Sequence, residues 1–253
     1  MLGAFSVAYW LFAVAVMPPL MVVAVAVFLA TVAFDRRRLA MHLYSCFWGA
    51  LYVWMNPFWR VSYQGREKIP WRGPAVLVAN HLSLLDILVL YGLFRPFKWV
   101  AKAELFRVPF VGWNLMLNDY VAIRRGDRDS IRSMMDHCRR HLEAGSPVLI
   151  FPEGTRSQDG RLQAFKDGAF RLALAEGVPV IPIAISGTAD ALPKHGIMLR
   201  GRMHARVAVL DPIVPTGKAS AAELRDAARA AIAAALPGEA AGAPAARPEG
   251  RTA

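Results

Sequence analysis

At 253 residues, 55% of them hydrophobic, the chain is long enough for one domain with a full core and an appendage. Lysine and arginine outnumber aspartate and glutamate by 30 to 19, a formal net charge of +11 that suits an anionic membrane or a nucleic acid. No zinc-finger spacing or aromatic RNP signature accompanies the charge, which argues against a base-reading module and a nucleic-acid partner. The two cysteines, Cys46 and Cys138, define neither a disulfide framework nor a cysteine metal site.

The first element is apolar. Phe5 to Phe34 carries no charged side chain, and its 30 residues exceed the roughly 20 that a helix needs to cross a bilayer. Pro18-Pro19 interrupts the run, leaving halves too short to span, so it is either one kinked crossing or a re-entrant pair dipping into one leaflet. The extreme N-terminus has no basic region, and the run ends in Asp35-Arg36-Arg37-Arg38 rather than a small-residue cleavage site, which reads as an uncleaved anchor, not a signal peptide. The arginines favour the cytoplasmic side for the rest of the chain. Leu39 to Trp59 is a second apolar stretch dense in aromatics, Tyr44, Phe47, Trp48, Tyr52, Trp54, Phe58 and Trp59, and suits the headgroup boundary; a core helix with an aromatic stripe is the alternative. Arg36 to Arg38, Arg60 and Arg66 would each contribute about 1 kcal/mol toward an anionic leaflet.

The composition divides the chain into a membrane-associated helical anchor over 1–60, a domain over 61–236 and a disordered Gly-, Pro- and Ala-rich tail over 237–253. Within the domain, apolar runs at Ala75–Ala79, Lys98–Ala101, Tyr120–Ile123, Val148–Phe151, Val180–Ile185 and Ala205–Leu210 read as strands. Between them Leu84–Leu93, Arg128–Glu143 and Phe165–Glu176 read as helices, and Ser220-Ala221-Ala222-Glu223 opens another to about Leu236. Alternation of the two predicts an α/β fold, a mostly parallel sheet flanked by helices and preceded by the N-terminal membrane-embedded helical segment.

Asn80-His81-Leu82-Ser83-Leu84-Leu85-Asp86 comes directly after the first strand of this alternation and sets an imidazole five residues before a carboxylate. On a regular helix such residues diverge by roughly 140°, so His81 meets Asp86 only from the turn before the helix, with Ser83 as N-cap. Ser83-x-x-Asp86 is also a capping box that needs no chemistry to explain it. A second segment, Phe151-Pro152-Glu153-Gly154-Thr155-Arg156-Ser157, follows another strand, and both turns fall at carboxyl strand ends, where α/β sheets collect function. His81 then serves as general base and Asp86 fixes its tautomer. Glu153, Gly154, Thr155 and Arg156 suit an anionic substrate, with a glycine amide, a hydroxyl and a guanidinium for phosphate. Arg125 is favoured over Arg124 as a further phosphate ligand by strand alternation, and Lys166 adds positive charge at a helix start.

These paired motifs, with roughly 70 residues between them, resemble the membrane glycerolipid acyltransferases, in particular the PlsC-type 1-acylglycerol-3-phosphate acyltransferases, over about Tyr63 to Leu210. The resemblance implies His81 as base, Asp86 as its orienting partner, and Glu153, Gly154, Thr155 and Arg156 as acceptor-site residues. It implies an oxyanion role for Lys102, a strand near the acyl chain at Val178 to Ile183, and two N-terminal helices embedded in one leaflet. One departure is Asp119, which stands where the family's second block carries glycine, with Arg125 at that block's end.

The expected reaction moves an acyl group from acyl-CoA or acyl-carrier protein to the 2-hydroxyl of lysophosphatidate at an anionic membrane. No cofactor or metal takes part, and a bacterial inner membrane with the catalytic domain on its cytoplasmic side is the expected location. Another lyso-lipid acceptor, such as lyso-ornithine lipid, is the alternative within that chemistry. A lipid hydrolase is disfavoured because no Gly-x-Ser-x-Gly is present, and a non-catalytic tethered adaptor would need neither His81 nor Arg156. Gly196 to Gly201 has phosphate-loop spacing without the succeeding Lys and hydroxyl. His137 and His141 are four apart on a helix, but with Arg139 and Arg140 beside them and no carboxylate between they read as solvated surface.

Overall fold

The computed structural model describes residues 2–189, 191–192, 198–199, 201–215 and 220–237. The expected tail beyond 237 and residues 196, 197 and 200 of the Gly196 to Gly201 segment lie outside these residues. Helices α1 (Leu2–Ala15) and α2 (Met17–Thr31) are joined through Val16, which both donates and accepts a helical hydrogen bond, so the prolines enter at the first turn of α2, where a missing N–H costs little. Helix α3 (Leu39–Trp54) comes next, then β1 (Trp59–Gln64), β2 (Val76–Ala79), α4 (Leu85–Tyr91), β3 (Lys98–Lys102), α5 (Val111–Leu117), β4 (Val121–Ile123), α6 (Arg128–Glu143), β5 (Val148–Ile150), α7 (Gly168–Ala175), β6 (Val180–Ser186), β7 (Met203–Val209) and α8 (Ala221–Ala235).

The described strands form one seven-stranded sheet in the order β1-β7-β6-β2-β5-β3-β4. All pairs are parallel except β6 with β7, so β1 and β7 run against the rest of a mostly parallel sheet. Alternation along the central strands splits their side chains between two layers. Leu77, Leu149 and Ile183 meet α3 and α4 through Cys46, Leu85 and Val89. Val76, Val78 and Val180 meet α6, α7 and α8 through Cys138, Phe170 and Ala228.

The aromatic stretch is divided rather than laid along an interface. Trp48, Tyr52 and Trp59 are buried against α1 and the sheet, because α3 packs on α4 and β1 as well as on α2, while Phe47, Trp54 and Phe58 stay exposed. Trp59 also opens an edge strand that the sequence pattern hides, since its first residue belongs to the aromatic run and its last to the polar Tyr63–Pro70 segment.

Candidate active site

Register brings the two motifs together. Val78 of β2 faces Ile150 of β5 as its parallel neighbour, so the turns that leave these strands emerge side by side at the carboxyl edge. Asn80, fully buried, clips the first turn to β6 with both ends of its amide: Nδ2 donates to Ile185 O and Oδ1 accepts from Ile185 N, each at 2.8 Å. The second turn then grips the backbone of His81. His81 N donates to Glu153 Oε1 at 2.9 Å, and Ser157 N donates to His81 O at 2.8 Å. Phe151 stacks on the imidazole with centroids 4.0 Å apart and planes 14° from parallel, which fixes the plane of the ring.

His81 Nδ1 donates to Asp86 Oδ2 at 2.8 Å, leaving Nε2 as the nitrogen available to an incoming hydroxyl. The His81 side chain is 12% exposed and that of Asp86 is 0% exposed. A carboxylate with no water around it needs protein donors, and Asp86 receives four. Oδ2 takes His81 Nδ1 and the N–H groups of Leu82 (2.6 Å) and Ser83 (2.9 Å), and Oδ1 takes the Thr188 hydroxyl at 2.5 Å. Capping and catalysis are therefore not rival readings, since one oxygen orders the helix entrance and orients the imidazole. Ser83 is not the N-cap. That position is Leu84, in helical conformation, and the Ser83 hydroxyl accepts from Leu85 N at 3.3 Å and donates to Leu192 O at 3.0 Å.

Sequence reasoning missed Asn80 as a clip and Thr188 as the second anchor of Asp86. Thr188 is preceded by Gly187, which lies at φ +79° where a Cβ would run into the His204 carbonyl, so the chain turns there to bring the hydroxyl under the carboxylate.

Glu153, expected at the acceptor site, also joins the two motifs. It is buried, and its Oε1 and Oε2 accept from the backbone N–H groups of His81 and Gln163 at 2.9 and 3.4 Å, so it braces the two motifs. Gly154, at φ +72°, lies beneath Lys166, whose Nζ would stand 3.0 Å from a Cβ added there; an alanine would meet the ammonium and an unfavourable backbone at once. Thr155 is exposed and Arg156 half-buried on the same turn, next to His81.

Strand order ranks the other basic candidates. With neighbouring strands about 4.8 Å apart, the ends of β5, β3 and β4 lie roughly 5, 10 and 14 Å from that of β2. Arg156 follows β5, the strand beside β2, whereas Arg125, exposed, follows β4, three strands away. Lys102 ends β3, its side chain 49% exposed and paired with Glu104 at 3.4 Å.

The family model described as Acyltransferase matches residues 60–186. The chain belongs to the acyltransferase family. The matched region holds His81, Asp86 and the whole Glu153–Ser157 turn, while Thr188 lies just beyond it. This acyltransferase is 42% identical over 211 residues to a 1-acyl-sn-glycerol-3-phosphate acyltransferase of Chlamydomonas reinhardtii, covering 82% of this chain and 62% of the relative. It is 38% identical over 180 residues to a chloroplastic enzyme of the same name from Arabidopsis thaliana, covering 70% and 49%. The chain thus spans less than two thirds of the length of these curated relatives. Its fold matches the crystal structure of the 1-acyl-sn-glycerophosphate acyltransferase PlsC from Thermotoga maritima with a TM-score of 0.73 and 27% identity, covering 92% of this chain and 95% of the other.

Proposed function

We propose that this acyltransferase moves a fatty acyl group from a thioester, acyl-CoA or acyl-carrier protein, to the 2-hydroxyl of lysophosphatidate, giving phosphatidate. The observation that carries the reading is the His81–Asp86 pair, its Nε2 left available, held against the turn that bears Arg156. Nε2 takes the proton as the hydroxyl oxygen attacks the thioester carbonyl. Collapse of the tetrahedral adduct breaks the carbon–sulfur bond, and the imidazolium returns the proton to the departing thiolate. Asp86 stabilises the imidazolium between the two steps, and no acyl-enzyme forms. General-base action of this kind is worth about 10²- to 10⁴-fold in rate. Arg156 meets the acceptor phosphate, and no cofactor is required. The names of the curated relatives and of the Thermotoga maritima protein support this acceptor.

The same reading places the enzyme at a membrane. Gly3–Thr31 is a helical run of 29 residues long and apolar enough to cross one. It is tied to α3 and its flanks, from Phe5 on Phe58 and Tyr9 on Tyr52 O to Leu20 O on Tyr44 and Phe28 under Arg38, and to the domain where the Ser6 hydroxyl accepts from Leu199 N at 3.0 Å and α2 packs on α5. A rod held over that distance has no free stretch for a separate crossing, which favours embedding in one leaflet over the kinked span. The arginines at 36–38 favour the cytoplasmic face of a bacterial inner membrane and an anionic leaflet.

Transfer from a radiolabelled acyl thioester to lysophosphatidate by the purified full-length protein in detergent tests the activity, with lyso-ornithine lipid in parallel and His81→Ala as control. Phosphatidate formed by the native protein and reduced about 10²-fold or more in the variant is the expected result. Product from the ornithine lipid alone would replace the acceptor, and free fatty acid without transfer would replace the reaction.

A further inference from the structure

On the edge of the sheet opposite His81, the turn between α5 and β4 meets the last two turns of α6. Asp119 occupies this turn at φ +56°, a backbone region that costs most side chains energy and that Asp tolerates better than most. Its carboxylate turns toward α6: His137 Nε2 lies 3.2 Å from Oδ1, and His141 Nε2 lies 3.8 Å from Oδ2 while donating to Asp119 O at 2.8 Å. The two imidazoles stack with centroids 4.7 Å apart, as residues four apart on one helix face can.

We propose that Asp119, His137 and His141 form a binding site for a divalent transition metal, of the zinc, cobalt or nickel class, that fastens α6 to the start of β4. Two imidazoles and a carboxylate are a donor set such metals accept, leaving a fourth position for water. One donor atom from each residue lies within 4.8 Å of the other two. Donors on a tetrahedral metal at about 2.1 Å stand about 3.4 Å from one another, so rotation of the half-buried Asp119 and His137 side chains by about 1.5 Å closes the set. The carboxylate that the sequence of α6 lacks between its histidines comes from another element. Arg139, one of the two arginines that argued against a metal there, is held away by Glu176 at 2.9 Å and Asp136 at 3.5 Å.

The protonation states suit a ligand set. Desolvation, reinforced by Lys98, lowers the pKa of His141 to about 4, so the ring is neutral at neutral pH, and His137 holds the Asp119 carboxyl below its ordinary range. Binding at Nε2 needs only that each neutral ring carry its single proton on Nδ1 instead.

Tag-free full-length protein in detergent, stripped with chelator and titrated with Co²⁺, tests the site through visible d–d absorption. Saturation at one equivalent is expected, weakened at least about tenfold in His137→Ala and in Asp119→Asn. Asparagine keeps the left-handed turn, and the distant exposed His204→Ala is expected to titrate as the native protein does. A native protein without saturable absorption, or an unchanged titration in both site variants, would overturn the proposal.

Discussion

Thr188 reaches Asp86 from 102 residues away and supplies the only donor to Oδ1 among the described residues, so it works through the carboxylate rather than on a substrate. Thr188→Val keeps the shape and removes the hydroxyl, leaving a buried acceptor short of a partner at a cost of about 1–3 kcal/mol. We expect kcat to fall about tenfold with KM little changed, since 1.4 kcal/mol is a factor of ten, and Thr188→Ser to restore most of it. A kcat unaffected by valine would mean that the main-chain donors suffice to orient the dyad. His81 and Asp86 were legible because their spacing is informative within seven residues of sequence. Thr188 was not, because no local pattern ties a threonine after Gly187 to a carboxylate on another element. The bracing contact of Glu153 was hidden for a related reason: beside Arg156 an acid looks like substrate machinery, and only the pairing of β2 with β5 sets His81 N–H against it.

Two helices carry histidines that folding holds neutral. His42 of α3 accepts at Nδ1 from the Tyr120 hydroxyl at 2.6 Å and donates from Nε2 to Arg95 O at 2.8 Å; desolvation lowers its pKa to about 3. His141 of α6 is lowered to about 4 for the same main reason. In the unfolded chain both titrate near 6.5. Below that pH the unfolded chain gains protons that the folded one refuses, so stability is full above about 6.5 and declines as pH falls toward 4, on the order of 1 kcal/mol per pH unit for each ring. The midpoint of urea unfolding is expected to drop between pH 7 and pH 5; a constant midpoint would mean that the folded protein protonates both rings. Helices with long apolar periodicity or clear caps, such as α6 and α8, were readable in advance. Helix α5 was not, because Pro109 and Gly112 punctuate a short segment that is helical only once Phe110 turns the chain at φ +62°.

At the scale of the molecule, the most exposed large apolar side chains among the described residues include Leu11, Val22 and Leu29 of the N-terminal helices and Phe34 just after them, at 66%, 70%, 67% and 75% exposed. Their opposite face packs on α3, through Ala13, Met21 and Ala24 against Met41, Trp48 and Tyr52. Replacing Val22 and Leu29 together by aspartate touches the outer face alone, and each loses about 1.5–3 kcal/mol of apolar transfer. Flotation with anionic vesicles is expected to weaken at least about tenfold while thermal stability in detergent holds; undiminished flotation would assign membrane contact to another surface. Sequence left a crossing and an in-leaflet arrangement open, because the run of contacts from Phe5 to Phe28 exists only in three dimensions. Edge strand β1 bears on how the protein is made. Its sheet partner is β7, so Gln64 leaves the ribosome 139 residues ahead of Met203. At about 5–20 residues per second, β1 waits roughly 7–28 s for its neighbour. If the proposed membrane association holds, the apolar helices can reach lipid during that interval, before the sheet closes.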